Sequence, residues 1–472
     1  MDDAVNVTRM TATELARRIR ARELSAMEAL RAHLNAIERV NAKINAICTL
    51  VPERALAEAA DIDARFARGE TPGPLAGVPV GIKDVTDTFG IRTTYGSLRF
   101  VDHVPQTDDL IVTRLRAAGA VVIGKTNTPE FAAGANTVNR VFGATRNPWN
   151  LALSAAGSSG GAGAALAARI LPLAQGTDYG GSVRLPAAFC GVVGLRPTPG
   201  VIPSVPSELP FDSGSVHGPM TRTVEDAALM LDAMAGYTPV TPLSSPLPWR
   251  SAYDEVARVR DLAGRRIAFV PDITGIGIDP EIEAACRHAA ERLASDGAIV
   301  EEISFDATAG RHAYIVLRSA RMVAAYPADI DAPENLGPNL AGNVAAGLKV
   351  STRELAAAEK ARTALWNQFC ALFERYDLLV TPTVPVLPFP VEQSYPGEIA
   401  GRKLATYIDW VASTFLITLV TLPALSVPAG LSKSGLPIGL QIVGPRFSEP
   451  HILSAAKFVE YGNPIGLPPT CA

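Results

Sequence analysis

The sequence contains few cysteines and histidines, and their spacing excludes several classes of protein. Only five cysteines occur in 472 residues, scattered along the chain and without a C-x-x-C pair. Neither a disulfide framework nor a zinc ribbon is therefore predicted, and reduced thiols favour a cytoplasmic protein. The six histidines show no H-x-x-x-H spacing, so we predict no metal site.

Long apolar runs, a secretory leader and a strong net charge are also missing. No stretch reaches the roughly 18 apolar residues of a membrane span, and the acidic start "MDDAVNVTRM" lacks the basic and apolar segments of a signal peptide. The 43 basic residues nearly balance 47 acidic ones, for a net charge of −4. Such a balance gives no basic footprint for nucleic acid. We therefore expect a protein that binds neither nucleic acid nor a membrane.

Helical and strand patterns alternate along most of the chain. "TATE" at Thr11 and "SAME" at Ser25 fit the capping box and predict two N-terminal helices. Later, apolar strand patterns such as "AVVIGKT" and "RIAFVPD" alternate with helical ones such as "DDLIVTRLRAAG". The alternation predicts α/β layers around a largely buried sheet. The Pro/Ser-rich segment 236–249 is the best internal boundary, although it is typical of a long surface loop.

Two short motifs suggest other enzymes, but their surroundings argue against both. "GAVVIGKT" (119–126) matches the phosphate-binding pattern G-x-x-x-x-G-K-[ST], yet its middle residues Ala-Val-Val-Ile are typical of a strand. "GSSGG" (157–161) matches the nucleophile elbow of α/β-hydrolases, with Ser159 as the nucleophile. The elbow requires an apolar strand before it, whereas "NPWNLALSAA" contains proline and polar residues. A histidine-based hydrolase is therefore the weaker alternative.

Three other segments combine one lysine with serines. They are "GIKD" with Lys83, "AAGSSGG" with Ser158 and Ser159, and "GTDYGGSVR" with Ser182. A serine hydroxyl is a weak nucleophile until a base takes its proton. A lysine that ends an apolar strand can be that base, because desolvation lowers its pKa towards neutrality. The glycines before Ser182 leave backbone N–H groups open to a bound oxygen atom.

Together these segments resemble the amidase signature family, whose members are serine hydrolases of amide bonds. The resemblance is dense over residues 73–232 and continues more loosely through "LVTPTVP" and "GLPIGLQIVGP". It implies one large α/β domain over residues 1–472, with a central mixed β-sheet covered by helices on both faces. N-terminal helices would occupy 1–70, the signature core 73–232, and a variable substrate-shaping region about 236–420. The resemblance implies no metal and no organic cofactor.

The resemblance assigns a Ser–Ser–Lys triad residue by residue. Ser182 matches the nucleophile and Lys83 matches the base. Ser158 matches the bridging serine, which follows a cis peptide bond in the family. A proton would pass from Ser182 through Ser158 to Lys83, so the chemistry needs no histidine.

Supporting roles follow from the same resemblance. The residues expected to form the oxyanion hole or to contact the substrate are Tyr179, Gly180, Gly181 and Ala132, with the N–H of Ser182 as a further donor. Ser159 is expected to support the proton relay. Asp178 and Arg184 are expected to hold the glycine loop, residues 179–182, in shape. Two positions depart from the frequent family pattern: Ala156 precedes Gly157 where a second glycine is common, and Ala162 replaces a serine. Both are exchanges between small residues, so we expect the chemistry to be retained.

Three hypotheses for the function follow from this reasoning. The leading one is a stand-alone hydrolase of a small-molecule amide, with anilides, esters and carbamates as further substrate classes. The alternative is the glutaminase subunit of a tRNA-dependent amidotransferase, which belongs to the same family and works with partner subunits. The third is an inactive amidase-like scaffold, which the complete triad argues against. The chain is also a candidate homodimer.

Two segments outside the signature, residues 306–350 and 390–420, are expected to shape the substrate pocket. The side chains that either line an apolar acyl pocket or belong to the ordinary core are Met322, Tyr326, Tyr407, Trp410 and Phe415.

Overall fold

The computed structural model describes residues 7–326, 336–404 and 406–471, in which short strands alternate with helices. The strands are β1 (Ile47–Leu50), β2 (Pro79–Lys83), β3 (Val121–Thr126), β4 (Val138–Asn139), β5 (Gly143–Ala144), β6 (Arg146–Asn147), β7 (Asn150–Ser154), β8 (Leu173–Asp178), β9 (Val193–Arg196), β10 (Val216–Thr221), β11 (Arg266–Phe269), β12 (Ile299–Glu302), β13 (Leu378–Pro382), β14 (Glu398–Ile399), β15 (Arg402–Lys403), β16 (Ala424–Leu431) and β17 (Pro437–Val443). The α-helices are α1 (Ala12–Arg20), α2 (Ala26–Ile44), α3 (Pro52–Ala67), α4 (Leu110–Ala117), α5 (Gly160–Ala167), α6 (Arg184–Cys190), α7 (Val224–Met234), α8 (Ala252–Arg258), α9 (Pro280–Ser295), α10 (Gly310–Ala325), α11 (Pro338–Gly347), α12 (Thr352–Phe373), α13 (Ala412–Leu419) and α14 (Glu449–Gly462).

Eleven strands of the described ranges form one mixed sheet. Their order is β1-β3-β2-β8-β10-β9-β16-β17-β13-β11-β12. β2 runs parallel to both β3 and β8, and β13, β11 and β12 form a second parallel group. The strands between these groups pair antiparallel. The predicted mixed sheet is confirmed.

Helices cover both faces of this sheet, as the alternation of buried side chains shows. In β13, Leu378 and Val380 point into one hydrophobic core, whereas Leu379 between them points into a second core. Successive side chains of a strand face opposite sides, so each core lies on its own face of the sheet. Helices α2, α3, α7, α9 and α14 pack into the first core, and α10, α12 and α13 pack into the second.

Local signals read from the sequence explain where several elements begin. Ser25 and Glu28 form a complete capping box at the start of α2, and the Thr11 hydroxyl accepts the Glu14 N–H at the start of α1. "AVVIGKT" forms the buried strand β3 and not a phosphate-binding turn. Across the described part of the chain, no helix combines the length and the apolar character that a membrane span requires.

The stretch before "GSSGG" contains the short strand β7, but not the apolar strand that a nucleophile elbow requires directly before its serine. β7 pairs only with β6 among the described strands, in a two-stranded ribbon outside the main sheet. Residues 150–153 alternate between exposed and half-buried positions, and Ser154 is buried, so the strand can form at a surface despite its polar residues.

Candidate active site

The sheet order brings the three predicted segments to one edge. β2 ends at Lys83, and its parallel neighbour β8 leads directly into the glycine loop that ends at Ser182. The carboxyl ends of parallel neighbours meet at the same edge of a sheet, where α/β proteins commonly bind ligands. Ser158 and Ser159 immediately precede α5 and are placed against these strand ends.

The Lys83 side chain is fully buried and contacts two hydroxyl groups. Its Nζ atom lies 2.6 Å from Ser158 Oγ and 2.9 Å from Thr177 Oγ1. Burial lowers the pKa of Lys83 to about 7, although the negative charge of Asp178 acts in the opposite direction. A substantial fraction of the amine is therefore neutral near pH 7 and able to accept a proton.

Ser158 is held in place by the backbone around it. The peptide bond between Gly157 and Ser158 is cis, as the family resemblance implies. Thr137 Oγ1 donates a hydrogen bond to the Ala156 carbonyl at 2.8 Å and accepts one from the Gly160 N–H at 3.1 Å. These contacts fix both ends of the segment that carries Ser158.

The start of α5 packs directly against the backbone that follows β3. A Cβ atom on Gly161 would lie 2.3 Å from Asn127 N and 2.6 Å from Ala46 O. Only glycine permits this approach, and it brings the serines before α5 close to the sheet edge.

Ser182 lies at the surface of a cavity that Ser158 also lines. The Ser182 carbonyl accepts the Ser159 N–H at 3.0 Å, and Ser159 Oγ lies 3.4 Å from the Thr177 carbonyl oxygen and 3.3 Å from the Thr177 amide nitrogen. The structure shows no hydrogen bond between the Ser158 and Ser182 hydroxyls. Catalytic hydrogen bonds are often long without substrate and tighten only in the complex.

Asp178 holds the glycine loop in place through hydrogen bonds to backbone N–H groups. Its carboxylate accepts the N–H groups of Gly181 at 2.9 Å and Val183 at 3.2 Å. Gly181 has a φ of +115°, and a Cβ atom there would lie 2.2 Å from Thr414 Oγ1, so both conformation and space require glycine. Since the Gly181 N–H already faces Asp178, the remaining predicted oxyanion donors are the N–H groups of Tyr179, Gly180 and Ser182.

Two buried arginines lie beside the Asp178 carboxylate. Arg184 donates to both carboxylate oxygens at 2.9 and 3.0 Å, and an Arg196 nitrogen lies 3.5 Å from one of them. Burial alone would raise the pKa of Asp178, but Arg184, and less strongly Arg196, outweigh it and hold that pKa below its usual value. This geometry suits the predicted role of Asp178 and Arg184 in shaping the loop.

Sequence reasoning missed a polar chain beside Lys83. The Gln175 Oε1 atom accepts the Lys83 backbone N–H at 3.1 Å and the Thr86 hydroxyl at 3.2 Å. Its Nε2 group donates to the Gly176 carbonyl and lies 2.9 Å from His217 Nδ1. His217 Nδ1 must then accept, so the ring proton is on Nε2, which lies 3.6 Å from an Asp109 oxygen.

Two cavities open next to Ser182. The larger has a volume of about 510 Å³ and is bordered by Ser158, Thr177 and the predicted Ala132. The smaller has a volume of about 60 Å³ and is also bordered by Ala132. The backbone of Ala132 has a φ of +58°, a left-handed conformation that turns the chain at this junction.

The five side chains considered for the pocket divide between cavity and core. Met322 borders both cavities, Tyr326 borders the larger, and Tyr407 borders the smaller. Trp410 and Phe415 are fully buried in the second core, where Phe415 stacks on Tyr314 at 4.1 Å. Within 306–350, residues 327–335 lie outside the described residues.

Comparison with known proteins gives one family. The family model described as amidase matches residues 28–453. A glutamyl-tRNA(Gln) amidotransferase component from Moorella thermoacetica is 40% identical and aligns over 96% of this chain and 96% of that protein. The acylamidase of Rhodococcus erythropolis is 36% identical over 97% of this chain and 96% of that protein. The solved structure of a bacterial aryl acylamidase matches with a TM-score of 0.89 at 28% identity, covering 96% of each chain.

The buried ion pair beneath the loop gives a first prediction. Replacing Asp178 by asparagine leaves the Arg184 and Arg196 charges without a carboxylate in the interior, where each has no exposed surface. Asp178→Asn should therefore lower the free energy of unfolding by about 3–5 kcal/mol, measured from urea unfolding. The control is Asp254→Asn, because Asp254 pairs with Arg258 on the surface at 3.8 Å and should change stability little. Equal effects of the two substitutions would contradict the assigned role.

Proposed function

The chain belongs to the amidase family, and we propose that it hydrolyses carboxylic amides through an acyl-enzyme formed on Ser182. The observation that carries the proposal is the 2.6 Å contact between Lys83 Nζ and Ser158 Oγ in a fully buried site. Anilides, esters and carbamates suit the same chemistry, because each presents a carbonyl carbon that carries a leaving group. The proposed steps use neither a metal ion nor an organic cofactor.

Acylation begins with neutral Lys83. Lys83 takes the Ser158 hydroxyl proton while Ser158 takes the proton of Ser182, and Ser182 Oγ forms a bond to the amide carbonyl carbon. The carbonyl oxygen becomes an oxyanion, which the N–H groups of Tyr179, Gly180 and Ser182 stabilise. One such donor typically contributes about 2.7–4 kcal/mol to the transition state.

Collapse of this intermediate breaks the carbon–nitrogen bond. Protonated Lys83 returns its proton through Ser158 to the departing nitrogen, so a neutral amine leaves and the acyl group stays on Ser182. A water molecule then attacks the ester carbonyl carbon and gives its proton to the same relay. When the ester bond breaks, Ser182 regains its proton and the carboxylic acid is released.

The lowered pKa of Lys83 predicts how activity depends on pH. The relay needs the neutral amine, so kcat/KM should rise with pH, with a midpoint near the Lys83 pKa of about 7, and reach a plateau above it. Lys83→Ala should reduce kcat/KM by about 10²–10⁴-fold, the usual contribution of a general base, and should abolish this limb of the profile. Lys83→Arg is the matched control, since a guanidinium keeps its proton in proteins and should not rescue activity.

A pH profile measured with p-nitroacetanilide tests this assignment. A limb near neutrality that persists unchanged in Lys83→Ala would show that another group is the base. A wild-type profile without any acid limb would contradict the proposed proton transfer.

The glutaminase of a tRNA-dependent amidotransferase is the second candidate, favoured by the 40% identity to the Moorella amidotransferase component. Glutamine is a zwitterion, so its recognition needs a cationic and an anionic partner beside the reacting amide. The small cavity next to Ser182 has one charged side chain, Arg318, among apolar and aromatic walls and no carboxylate, which supports a stand-alone hydrolase. Carboxylates such as Glu208 and Asp212 border the larger cavity instead.

The release of ammonia from glutamine distinguishes the two candidate functions directly. We expect the isolated chain to release little ammonia from glutamine and to cleave p-nitroacetanilide with a kcat/KM at least tenfold higher. The opposite order, or a glutaminase activity that depends on co-purified subunits, would favour the amidotransferase function.

A further inference from the structure

The two cavities at Ser182 differ in size and in their access to the proton relay, and we infer from this which half of the substrate each one binds. The larger cavity receives a bulky aromatic amine, and the smaller receives a short acyl group. The inference rests on the proposed acyl-enzyme mechanism and narrows its substrate to short-chain N-acyl arylamines and arylalkylamines.

Four residues separate the two spaces. Ser182 borders both of them, together with Ala132, Tyr179 and Met322. The substrate carbonyl carbon must lie at this junction to be reached by Ser182 Oγ. The two substituents of the carbonyl carbon then extend into different cavities.

The position of Ser158 decides which substituent lies where. Ser158 and Thr177 border the larger cavity, and neither of them borders the smaller one. In the proposed mechanism Ser158 hands the proton to the departing nitrogen, so that nitrogen must face the larger cavity. The water that later attacks the acyl-enzyme must arrive from the same side, because it uses the same relay in reverse.

The smaller cavity limits the length of the acyl chain. A group the size of a water molecule needs about 10–15 Å³ of cavity volume. The smaller cavity, at about 60 Å³, therefore holds only a handful of non-hydrogen atoms. Leu185, Ile408 and Val411 contribute apolar walls. The guanidinium of Arg318 donates hydrogen bonds to Asn343 Oδ1 and to Tyr407 Oη. These features fit an acetyl, propionyl or butyryl group better than a long chain.

One wall of the larger cavity presents aromatic surfaces to the amine. Phe131 lies edge-on to Phe100 at 5.9 Å and to Tyr326 at 5.4 Å, and is stacked with Tyr95 at 6.1 Å. All four rings border the cavity. Aromatic side chains favour offset or edge-to-face contact with another ring, and 510 Å³ lies within the usual range for a small-molecule site.

A pair of isomeric amides tests the assignment in the wild-type enzyme. N-benzylacetamide has a small acyl group and an aromatic amine, whereas N-methyl-2-phenylacetamide has the same atoms with the two sides exchanged. We expect kcat/KM for N-benzylacetamide to be at least tenfold higher. Equal values or the reverse order would overturn the assignment while leaving the proposed hydrolase function intact. Cleavage of neither isomer, with no turnover of p-nitroacetanilide, would overturn the function and the assignment together.

A variant of the smaller cavity provides an independent test. Val411→Ala removes apolar volume from that wall and should raise the relative kcat/KM of N-methyl-2-phenylacetamide at least tenfold. The matched control is Val443→Ala, the same change at a buried position of the same core that borders neither cavity. Its isomer ratio should stay within twofold of the wild type. An unchanged ratio in a folded Val411→Ala enzyme would contradict the acyl assignment.

Discussion

The burial of the Lys83 amine among neutral hydroxyl groups is the constraint on which the proposed chemistry depends. A charged ammonium in the interior costs several kcal/mol unless a carboxylate lies beside it, and the direct partners of Lys83 Nζ are Ser158 and Thr177. The negative charge that favours protonation, on Asp178, is shared with Arg184 and Arg196. The ion pair that shapes the glycine loop therefore also keeps Lys83 available as a base.

The fold meets this constraint through strand order and close backbone packing. β2 and β8 lie side by side, which places Lys83 on one strand end next to the glycine loop on the other. Gly161 lets α5 approach the backbone after β3, and this brings Ser158 to the lysine. A second buried lysine, Lys125, is the penultimate residue of the neighbouring β3, but its amine donates to the Thr86 carbonyl and to Thr88 Oγ1. Two chemically similar lysines on adjacent strands thus have different surroundings, and the contact with a serine hydroxyl distinguishes Lys83.

Much of this arrangement could be predicted from sequence, because it depends on local signals and on a family resemblance. Apolar runs predicted β2 and β3, capping residues predicted α1 and α2, and the three motifs predicted that Lys83, Ser158 and Ser182 act together. The chain of Gln175, His217 and Asp109 could not be predicted, since it joins three segments through a sheet order that the sequence does not state. The two cavities at Ser182 could not be predicted either, because their walls come from distant segments that meet only in the folded chain.

The central claim is that Ser182 is the nucleophile and that Lys83 activates it. The most direct measurement is labelling with a fluorophosphonate probe, followed by peptide mass spectrometry of the wild type and of Lys83→Ala. We predict a single adduct on Ser182 that is lost, or formed far more slowly, in the folded Lys83→Ala variant. An adduct on Ser159, or labelling of Ser182 at an unchanged rate without Lys83, would contradict the account.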